Sequence, residues 1–420
     1  MDYNISLYLD KRTSSKKINN LFPVKLRLYS SITKTKKLYP TGIDLSIDDF
    51  NTIFNSETKV RGKNKETKII LQQLEGNAER IAKDLTPFSF NAFEKKMFRS
   101  KDAHINVAYH YKEKIKRLKS NDQVSTASNY NLSLKSLSNF LESKTNNKLK
   151  NLTFYDITAD FLNKYESYMV HELNKSRTTV SMYTRALRTI FNDAISENDI
   201  KREVYPFGKG NDKYQIPNAK GVKKALTKEE ISLLFNATPS TPEQEKAKDF
   251  WFFSYMCFGM NIKDILLLKH ENLNDDNLTY YRAKTVNTKK SNLKKVKVFL
   301  NDFSNEVINK YGTSPMRKNK FVFPIISEKD DVVEQQKKIK NFTSFINLHF
   351  NKLAKQEGFK FKISTYWARH SFATLSIQKG ASMEFISEAL NHSNLSVTKN
   401  YFAGFEDEAK KHFVNKLMEF

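Results

Sequence analysis

The chain has 420 residues, of which 39% are hydrophobic, so it is long and apolar enough for two or three packed domains. It contains no run of about 18 apolar residues and a single cysteine, Cys257, which together predict a protein without a membrane span or a disulfide framework, suited to a reducing cytoplasm. The formal net charge of +25, from 71 Lys and Arg against 46 Asp and Glu, favours a polyanionic partner, although an AT-rich genome enriches lysine in the same way.

Residues 1–98 are predicted to form a small basic domain. Apolar and polar residues alternate at 5–9 and again at 24–28, and this period of two is typical of half-buried strands. Lys25 and Arg27 then fall on the outer face of the sheet, where basic side chains suit insertion into a DNA groove. The alternative is a sheet whose charges only keep it soluble.

The rest of this domain is predicted to contain a turn and two helices. The Pro-Thr-Gly sequence at 40–42 is typical of a turn. Ser46 is a suitable N-cap for the helix that follows, with Asp49 at the capping-box position. The charged stretch 63–85 is predicted to be helical and to lead out of the domain.

Residues 103–205 are predicted to form a helical domain, because apolar residues recur at every third or fourth position. Arg177, Arg185 and Arg188 lie away from the clearest of these stripes, and basic residues on one helix face suit phosphate contacts. The alternative is an ordinary solvated helix face. The stripe consists of Val180, Tyr183, Leu187, Ile190, Phe191 and Ala194.

A linker is predicted at 201–222, where proline, glycine and lysine are concentrated. It separates the helical domain from a last domain, which covers 222–420. The first helix of this last domain is predicted to begin at Thr227, because Glu230 stands at the capping-box position three residues later.

The last domain is predicted to be α-helical with one small sheet at its edge. An apolar helical stretch at 249–269 breaks near Gly259. Two or three short strands are predicted over 278–300, the first of them at 278–285 and another at 294–300. From residue 365 onward the pattern is helical again.

The most informative segment lies near the end of this domain. Arg369 opens a predicted helix that Gly380 ends, and Ser382 caps the next helix. His392 then falls in a polar turn. Tyr401 follows nine residues later and is predicted to lie on a further helix.

This segment resembles the tyrosine recombinase, or phage integrase, family. Each residue alone has an ordinary explanation, such as core packing for Tyr401 or turn capping for His392. A whole set in family register is a far more specific signal. The set consists of Arg369-His370, Phe372-Ala373-Thr374, Leu390-Asn391-His392-Ser393, Thr398 and Tyr401.

The resemblance implies a mainly α fold with small β-sheets, in three domains. Residues 1–98 resemble a sheet-plus-helix arm-type DNA-binding domain. Residues 103–205 resemble a helical, SAM-like core-site-binding domain. Residues 222–420 resemble the α-rich catalytic domain with its edge β-hairpin. This layout is similar to that of the integrases carried by conjugative transposons.

The resemblance also implies a reaction and roles for four residues. Tyr401 would attack a DNA phosphodiester and form a 3′-phosphotyrosyl bond, which preserves the energy of the broken bond. Arg369 and His392 would stabilise the phosphate in the transition state. Lys284, at the position of the family's β-hairpin lysine, would protonate the leaving 5′-oxygen. The family chemistry requires no metal, ATP or other cofactor.

The first catalytic box departs from the family pattern. Asn261 stands where the family has an arginine, and a neutral amide cannot replace a guanidinium. We expect Arg282 or Lys263 to restore part of the missing charge. Arg282 is two residues from Lys284, so on a strand both side chains share one face.

A second departure leaves two further questions open. Tyr366 stands where the family commonly has histidine, and a phenol is neutral at pH 7. Asp264 either orients a catalytic cation or caps its own helix. The losses at Asn261 and Tyr366 keep a second interpretation open, that of a catalytically impaired DNA-binding regulator. A type IB topoisomerase shares the chemistry but would not need the arm-type domain.

The expected partner is double-stranded DNA at core and arm sites. Residues 406–420 form a predicted amphipathic helix, which in the family docks on a neighbouring protomer of a DNA-bound tetramer; the alternative is docking on its own domain. An accessory DNA-bending protein is a further expected partner. The site of action would be the cytoplasm.

Overall fold

The computed structural model of the chain describes residues 3–12, 20–55, 59–100, 102–144, 148–218, 224–286, 293–314, 319–392, 394–399 and 414. The chain divides into two compact units. The first comprises Met1–His110, Lys150–Asp156 and Phe191–Tyr205. The second comprises Tyr111–Leu149, Ile157–Ile190 and Pro206–Phe420.

The first unit begins with a three-stranded antiparallel sheet in the order β1-β2-β3. The strands are β1 (Tyr3–Leu9), β2 (Phe22–Ser30) and β3 (Thr35–Leu45). The alternation predicted from the sequence is confirmed, because Val24, Leu26 and Leu28 are buried. Arg27, between them in the sequence, is exposed on the opposite face.

The turn predicted at 40–42 is wrong, because these residues continue β3 as a bulged strand. The register between β2 and β3 shifts at this point. The Thr41 hydroxyl donates to the Val24 carbonyl at 2.7 Å, and Gly42 takes a φ of +79° that suits glycine. A proline is tolerated here because β3 is an edge strand.

Three helices follow the sheet. Ser46 caps the first as predicted: its hydroxyl oxygen accepts the Asp49 N–H at 3.0 Å and its O–H donates to the Asp49 carboxylate at 2.7 Å. Ala78 and Ile81 of the second helix and Phe93 of the third share a core with the sheet. The helices are α1 (Ile47–Phe54), α2 (Gly62–Lys83) and α3 (Phe90–Met97).

The predicted helical region consists of α4 (Val107–Ser120), α5 (Val124–Lys144), α6 (Ala159–Ser167) and α7 (Arg177–Ser196). The stripe predicted on α7 is buried at Val180, Leu187, Ile190, Phe191 and Ala194. The residues after α7, within the predicted linker, are partly packed. Tyr214 is buried and its hydroxyl donates to Glu166 at 2.6 Å.

The remaining helices and strands build the last part of the chain around α9. Trp251 on α9 stacks on Phe350 of α13 with ring centroids 4.8 Å apart. The elements are α8 (Lys228–Asn236), α9 (Pro242–Met256), α10 (Ile262–Leu266), β4 (Asn277–Tyr280), α11 (Ala283–Val286), β5 (Val296–Phe299), α12 (Asp302–Tyr311), α13 (Val332–Gln356), α14 (Thr365–Gln378), α15 (Met383–Ala389) and α16 (Leu395–Lys399).

Most boundaries predicted in this region are confirmed. Thr227 and Glu230 form a reciprocal capping box at the start of α8. The apolar stretch breaks between α9 and α10, where Gly259 has a φ of +65°. Gly380, with a φ of +94°, follows the end of α14, and Ser382 caps α15 by accepting the Phe385 N–H.

Two local predictions are wrong. The strand predicted at 278–285 ends at Tyr280, and Ala283–Val286 form the single helical turn α11. Lys284 therefore lies on a helix and not on a β-hairpin, and the argument that it shares a strand face with Arg282 no longer holds. Arg369 lies in the second turn of α14, which begins at Thr365.

The structure is mainly helical with two small antiparallel sheets, as predicted. The second sheet pairs β4 with β5. In the part of the chain that the structure describes, none of the helices is long and apolar enough to cross a membrane.

Candidate active site

Arg369 is the centre of the site. It lies on α14 and is only 2% exposed, which is rare for an arginine and requires good partners. Its guanidinium donates through Nη1 to the Gly259 carbonyl at 3.0 Å and through Nη2 to the Leu390 carbonyl at 2.5 Å. The α9–α10 turn and the end of α15 thereby fix the direction of the side chain.

Gly259 allows this turn to approach α14 closely. A Cβ atom at this position would lie 2.7 Å from the Arg369 Cα atom, which is backbone and cannot move aside. The positive φ of Gly259 also suits glycine. The sequence predicted only that the helical stretch breaks near Gly259. In the structure, this break brings the segment of the first catalytic box into contact with Arg369.

We expect Gly259→Ala to lower the free energy of unfolding by about 2–4 kcal/mol, from backbone strain and overpacking. Strand cleavage should fall as well, because Arg369 must shift. The matched control is Gly358→Ala: Gly358 has a φ of +84° but open space around its Cβ position, so only the strain of about 1 kcal/mol applies. Chemical denaturation measures the free energy of unfolding of both variants. Equal decreases for Gly259→Ala and Gly358→Ala would contradict the close contact between Gly259 and Arg369.

Arg282 contributes a second guanidinium to the same place. It is 7% exposed, and its Nη1 donates to the Leu390 carbonyl at 3.2 Å, so it shares this acceptor with Arg369. Its Nε atom is buried without a hydrogen-bond partner among the described residues. Such a donor suits an acceptor that the protein does not itself supply.

Asp264 is the buried carboxylate beside the two arginines. Its Oδ1 atom accepts the Ala283 N–H at 2.9 Å, which fixes the start of α11. Burial raises the pKa of Asp264, and the Ala283 N–H, Arg282 and Arg369 act against that rise. The two roles predicted for Asp264, orienting a cation and capping its own helix, both stay predictions.

His392 follows the end of α15. Asn391, with a φ of +49°, occupies the turn where the family pattern has glycine, and asparagine tolerates this conformation. The His392 backbone N–H donates to the Ser387 carbonyl at 2.8 Å. Its ring Nε2 lies 3.4 Å from Arg369 Nη2, and its Nδ1 lies 3.0 Å from the Thr398 hydroxyl.

The ring of His392 is neutral at pH 7. Burial lowers its pKa to about 3, with further contributions from the positive charges of Arg369, Arg282 and Lys284. A neutral imidazole can accept a proton, whereas an imidazolium cannot.

The other predicted site residues line one cleft with Arg282 and Asp264. These residues are Asn261, Lys263, Lys284 and Tyr366. Lys284 is exposed on α11, so its amine is free to meet a ligand. Tyr366 is 44% exposed, and its ring contacts that of His370 edge-on at 4.9 Å. Asn261 is the N-cap residue of α10.

The predicted DNA-contacting arginines lie on α7, apart from this cleft. Arg177 and Arg185 are exposed and Arg188 is half-buried. Arg185 Nε donates to the Ser181 hydroxyl at 3.0 Å, which steadies the side chain along the helix. The face is thus accessible, as a phosphate-contacting surface requires.

The two basic residues predicted on the sheet have different surroundings. Arg27 is exposed and donates through Nε to the Ser6 hydroxyl at 3.0 Å, with its guanidinium 5.7 Å from the Tyr8 ring centroid. Lys25 forms a salt bridge of 2.7 Å with the buried Asp10. Arg27 is therefore the better candidate for a DNA contact.

Several predicted features lie outside the described residues. They are the nucleophile Tyr401, the motif residue Ser393 and the amphipathic helix predicted at 406–420.

Sequence reasoning missed two parts of the site. The Leu390 carbonyl, which both arginines share, carries no side-chain signal, so no residue pattern could reveal it. The contact of Gly259 with Arg369 joins residues 110 positions apart. The only signal for it was the glycine itself within the broken helical stretch.

The arrangement is suited to binding a phosphate diester. Two buried guanidinium groups supply forked donors, and the neutral imidazole of His392 stands beside Arg369. Lys284 presents an exposed amine on the cleft that Arg282 lines. An α-rich domain with this site and the motif that ends at Tyr401 defines the class of tyrosine recombinases.

Two family models match the chain. The phage integrase SAM-like domain matches residues 106–216, and the phage integrase family matches residues 224–408. The two matches span most of the chain between them. The chain therefore belongs to the phage integrase family and is a tyrosine site-specific recombinase.

Individual relatives agree with this. The chain is 22% identical over 272 residues to tyrosine recombinase XerA of Thermococcus kodakarensis, covering 62% of this chain and 86% of that protein. It is 39% identical over 62 residues to a tyrosine recombinase of Pseudothermotoga lettingae, covering 15% of this chain and 21% of that protein. In fold it is similar to the Tn1549 transposon integrase in complex with transposon right end DNA, with a TM-score of 0.50 at 16% identity, covering 74% and 99% of the two chains.

Proposed function

We propose that this recombinase integrates or excises a mobile element, cutting and rejoining DNA through a 3′-phosphotyrosyl bond to Tyr401. The observation that carries the proposal is the convergence of Arg369 and Arg282 on the Leu390 carbonyl, beside the neutral His392. Two buried cations beside the single carboxylate of Asp264 leave an excess of positive charge, and a DNA phosphate is an anion that would balance it.

In this proposal the Tyr401 oxygen forms a bond to phosphorus and the bond to the 5′-oxygen breaks. Negative charge grows on the non-bridging oxygens, where Arg369 and Arg282 donate. Lys284, exposed on the cleft, supplies a proton to the leaving 5′-oxygen. The phosphotyrosyl bond then retains the energy needed for rejoining, so the reaction needs no ATP, and by resemblance to the family it would use no metal or other cofactor.

Arg282 is our candidate for the charge that the first catalytic box lacks at Asn261. Its guanidinium meets the same carbonyl as Arg369, and its buried Nε atom is available to a phosphate oxygen. Lys263, the other candidate, is half-buried on the wall of the cleft. Asp264, on α10, would hold the arginine pair in place through its charge and would fix the start of α11 through the Ala283 N–H.

We expect Arg282→Ala to slow strand cleavage by about 10²-fold, the usual effect of removing one preorganised donor. Lys263→Ala should slow strand cleavage by less than about tenfold, because a lysine amine would contribute positive charge without the two parallel donors of a guanidinium. Rates are measured in single turnover with saturating DNA. Adding Asn261→Arg to the Arg282→Ala variant should restore part of the rate, since it returns the family's arginine. Normal cleavage by Arg282→Ala would exclude this role.

DNA recognition is proposed to use all three predicted domains, 1–98, 103–205 and 222–420. Arg27, together with Lys25 two residues earlier on β2, would contact arm sites from the outer face of the sheet. The α7 face with Arg177, Arg185 and Arg188 would contact core sites. Because these proposed contacts are with phosphates, the affinity for DNA should fall steeply as the salt concentration rises.

The proposed partners are double-stranded DNA, further copies of this chain and an accessory DNA-bending protein. The segment 406–420 would dock on a neighbouring protomer of a tetramer bound to two DNA sites. The proposed place of action is the cytoplasm, where a mobile element and the chromosome meet.

A second candidate function rests on Asn261 and Tyr366. Both positions lack the positive charge of the family pattern, which is what a catalytically impaired DNA-binding regulator would show. Such a protein would still bind its sites but would not cut them.

Covalent trapping separates the two functions. The ends of the DNA element that encodes the protein are nicked near the cleavage site as suicide substrates and incubated with wild-type protein in EDTA. We expect an SDS-stable protein–DNA product, whose mapped end gives the cleavage position. Clear DNA binding without any covalent product would favour the regulator.

A further inference from the structure

A cluster of ion pairs joins the end of α3 to the turn that follows α7. On α3, Lys95 Nζ lies 2.8 Å from the Glu197 carboxylate, and Lys96 Nζ donates to the Glu197 carbonyl at 2.9 Å. Just after α3, Arg99 Nη1 donates to Oδ2 of Asp199 at 2.7 Å. These residues all belong to the first compact unit. The end of the predicted arm-type domain thereby contacts the end of α7.

The chain between α3 and α4 is anchored at the same place by packing. The Val107 N–H donates to the Leu152 carbonyl at 3.0 Å. The His110 ring lies edge-on to the Phe154 ring with centroids 5.1 Å apart, and the Phe154 ring meets that of Phe191 on α7 at 4.8 Å. The ion pairs extend this anchored region onto α3.

Asp199 is the most deeply buried member of the cluster. Its side chain is 1% exposed, compared with 17% for Arg99. Its Oδ1 atom has no hydrogen-bond partner among the described residues, so the Arg99 contact at Oδ2 is the main support of the carboxylate. Burial lowers the pKa of His110, whose Nε2 lies 3.6 Å from Oδ2, so its ring is neutral at pH 7. Loss of Arg99 would leave a buried charge without its cation, which is strongly unfavourable.

We propose that the pairs Arg99–Asp199 and Lys95–Glu197 form a latch that holds the arm-type domain in one fixed orientation on the end of α7. The arm-type domain then moves as one body with this helix end and not on a flexible tether. For DNA the inference rests on the proposed function, in which the arm-type domain contacts arm sites and α7 contacts core sites. The helical phase between the two sites would then decide whether one protomer can hold both.

Spin labels on two introduced cysteines test the latch without DNA. Glu66 on α2 and Glu203 after α7 are exposed positions of the first unit, and the natural Cys257 is fully buried, so it does not take a label. We expect the Glu66→Cys/Glu203→Cys protein to give a narrow distribution of label distances. Adding Asp199→Asn, which removes the charge but keeps the shape, should widen the distribution at least about twofold. An unchanged distribution would overturn the inference.

Asp330→Asn is the matched control. Its carboxylate is also buried, with 7% of the side chain exposed, and pairs with one cation, Lys338, but it belongs to the second unit. It should leave the distance distribution unchanged. A double-mutant cycle then tests the pair itself: adding Arg99→Met to Asp199→Asn should widen the distribution no further, whereas independent effects would add. Additive widening would refute the latch.

A second variant covers a folding defect, which the melting temperature of each variant reveals. If Asp199→Asn does not fold, Lys95→Met together with Lys96→Met takes its place. These changes remove the contacts with Glu197 and leave its carboxylate, 31% exposed, in contact with water and not buried without a partner. This variant should also widen the distance distribution, and an unchanged distribution would again overturn the inference.

The consequence for DNA is tested on the end of the element that encodes the protein. Inserting about five base pairs between core and arm sites turns the arm site to the opposite side of the duplex, and about ten base pairs turn it back. Wild-type affinity should fall by about tenfold with the half-turn insertion and recover with the full turn, whereas Asp199→Asn should lose less than about threefold. Equal dependence on spacing in both proteins would overturn the inference. Absence of arm-site binding by wild-type protein would instead refute the proposed function, while the label distances still decide the latch.

Discussion

Tyr401→Phe should abolish the covalent protein–DNA product while leaving DNA binding intact. Removal of the nucleophile takes away the bond-forming atom itself, so we expect the cleavage rate to fall by more than about 10⁴-fold. The phenylalanine side chain keeps nearly the volume of the tyrosine side chain and lacks only its hydroxyl. The measurement is an SDS-stable band on the nicked substrates in EDTA, with DNA affinity determined in parallel.

The control for Tyr401→Phe is the same change at another tyrosine of the site. Tyr366→Phe retains the aromatic ring beside His370 and removes only the phenolic hydroxyl from the cleft. It should still form the covalent product, at a reduced rate at most. A covalent product that persists in Tyr401→Phe and disappears in Tyr366→Phe would move the nucleophile to Tyr366 and refute the family register.

Arg369→Lys should reduce cleavage by about 10²–10³-fold, although the charge is conserved. A lysine amine cannot donate to the Gly259 and Leu390 carbonyls and still present a fork to a phosphate. Leaving these buried carbonyls without a donor should also lower the free energy of unfolding by about 1–3 kcal/mol. Single-turnover cleavage and chemical denaturation measure the two effects separately.

Arg99→Lys is the matched control for this substitution. Arg99 is partly buried, with 17% of its side chain exposed, and its Nη1 atom contacts the Asp199 carboxylate at 2.7 Å, but it belongs to the first unit. We expect Arg99→Lys to cleave at a near-normal rate. A lysine can replace an arginine that pairs with one carboxylate, but not an arginine that donates to two carbonyls and also binds a phosphate through a guanidinium fork. If Arg369→Lys also cleaved normally, the bidentate role of Arg369 would be wrong.

The sequence alone determined most of the secondary structure. Strong, repeated patterns were sufficient for this: the alternation of β1 and β2, the stripe on α7, and the caps at Ser46, Thr227 and Ser382. These signals are local, since a cap or a stripe depends only on residues a few positions apart. Arg369 and His392 were identified for a related reason, because the family motif that contains them is continuous in the sequence, from α14 to the turn after α15.

Local sequence patterns gave wrong predictions where the pattern was short or was compatible with two kinds of secondary structure. The Pro-Thr-Gly sequence at 40–42 suits a turn and a bulged edge strand equally, and pairing with β2 decided for the strand. The segment around Lys284 has too few residues for a period to be read. Its helical turn is fixed instead by the Asp264 carboxylate, which accepts the Ala283 N–H.

The amino-acid sequence by itself thus determined the class of the protein, the helices that carry its motif and the candidates for its chemistry. Tertiary structure alone decided that Arg282 joins Arg369 at the Leu390 carbonyl and that Gly259 packs against the arginine. The physical reason is that such contacts join residues far apart in the chain. They depend on how the helices pack and on backbone carbonyls, which every residue has and no sequence pattern distinguishes.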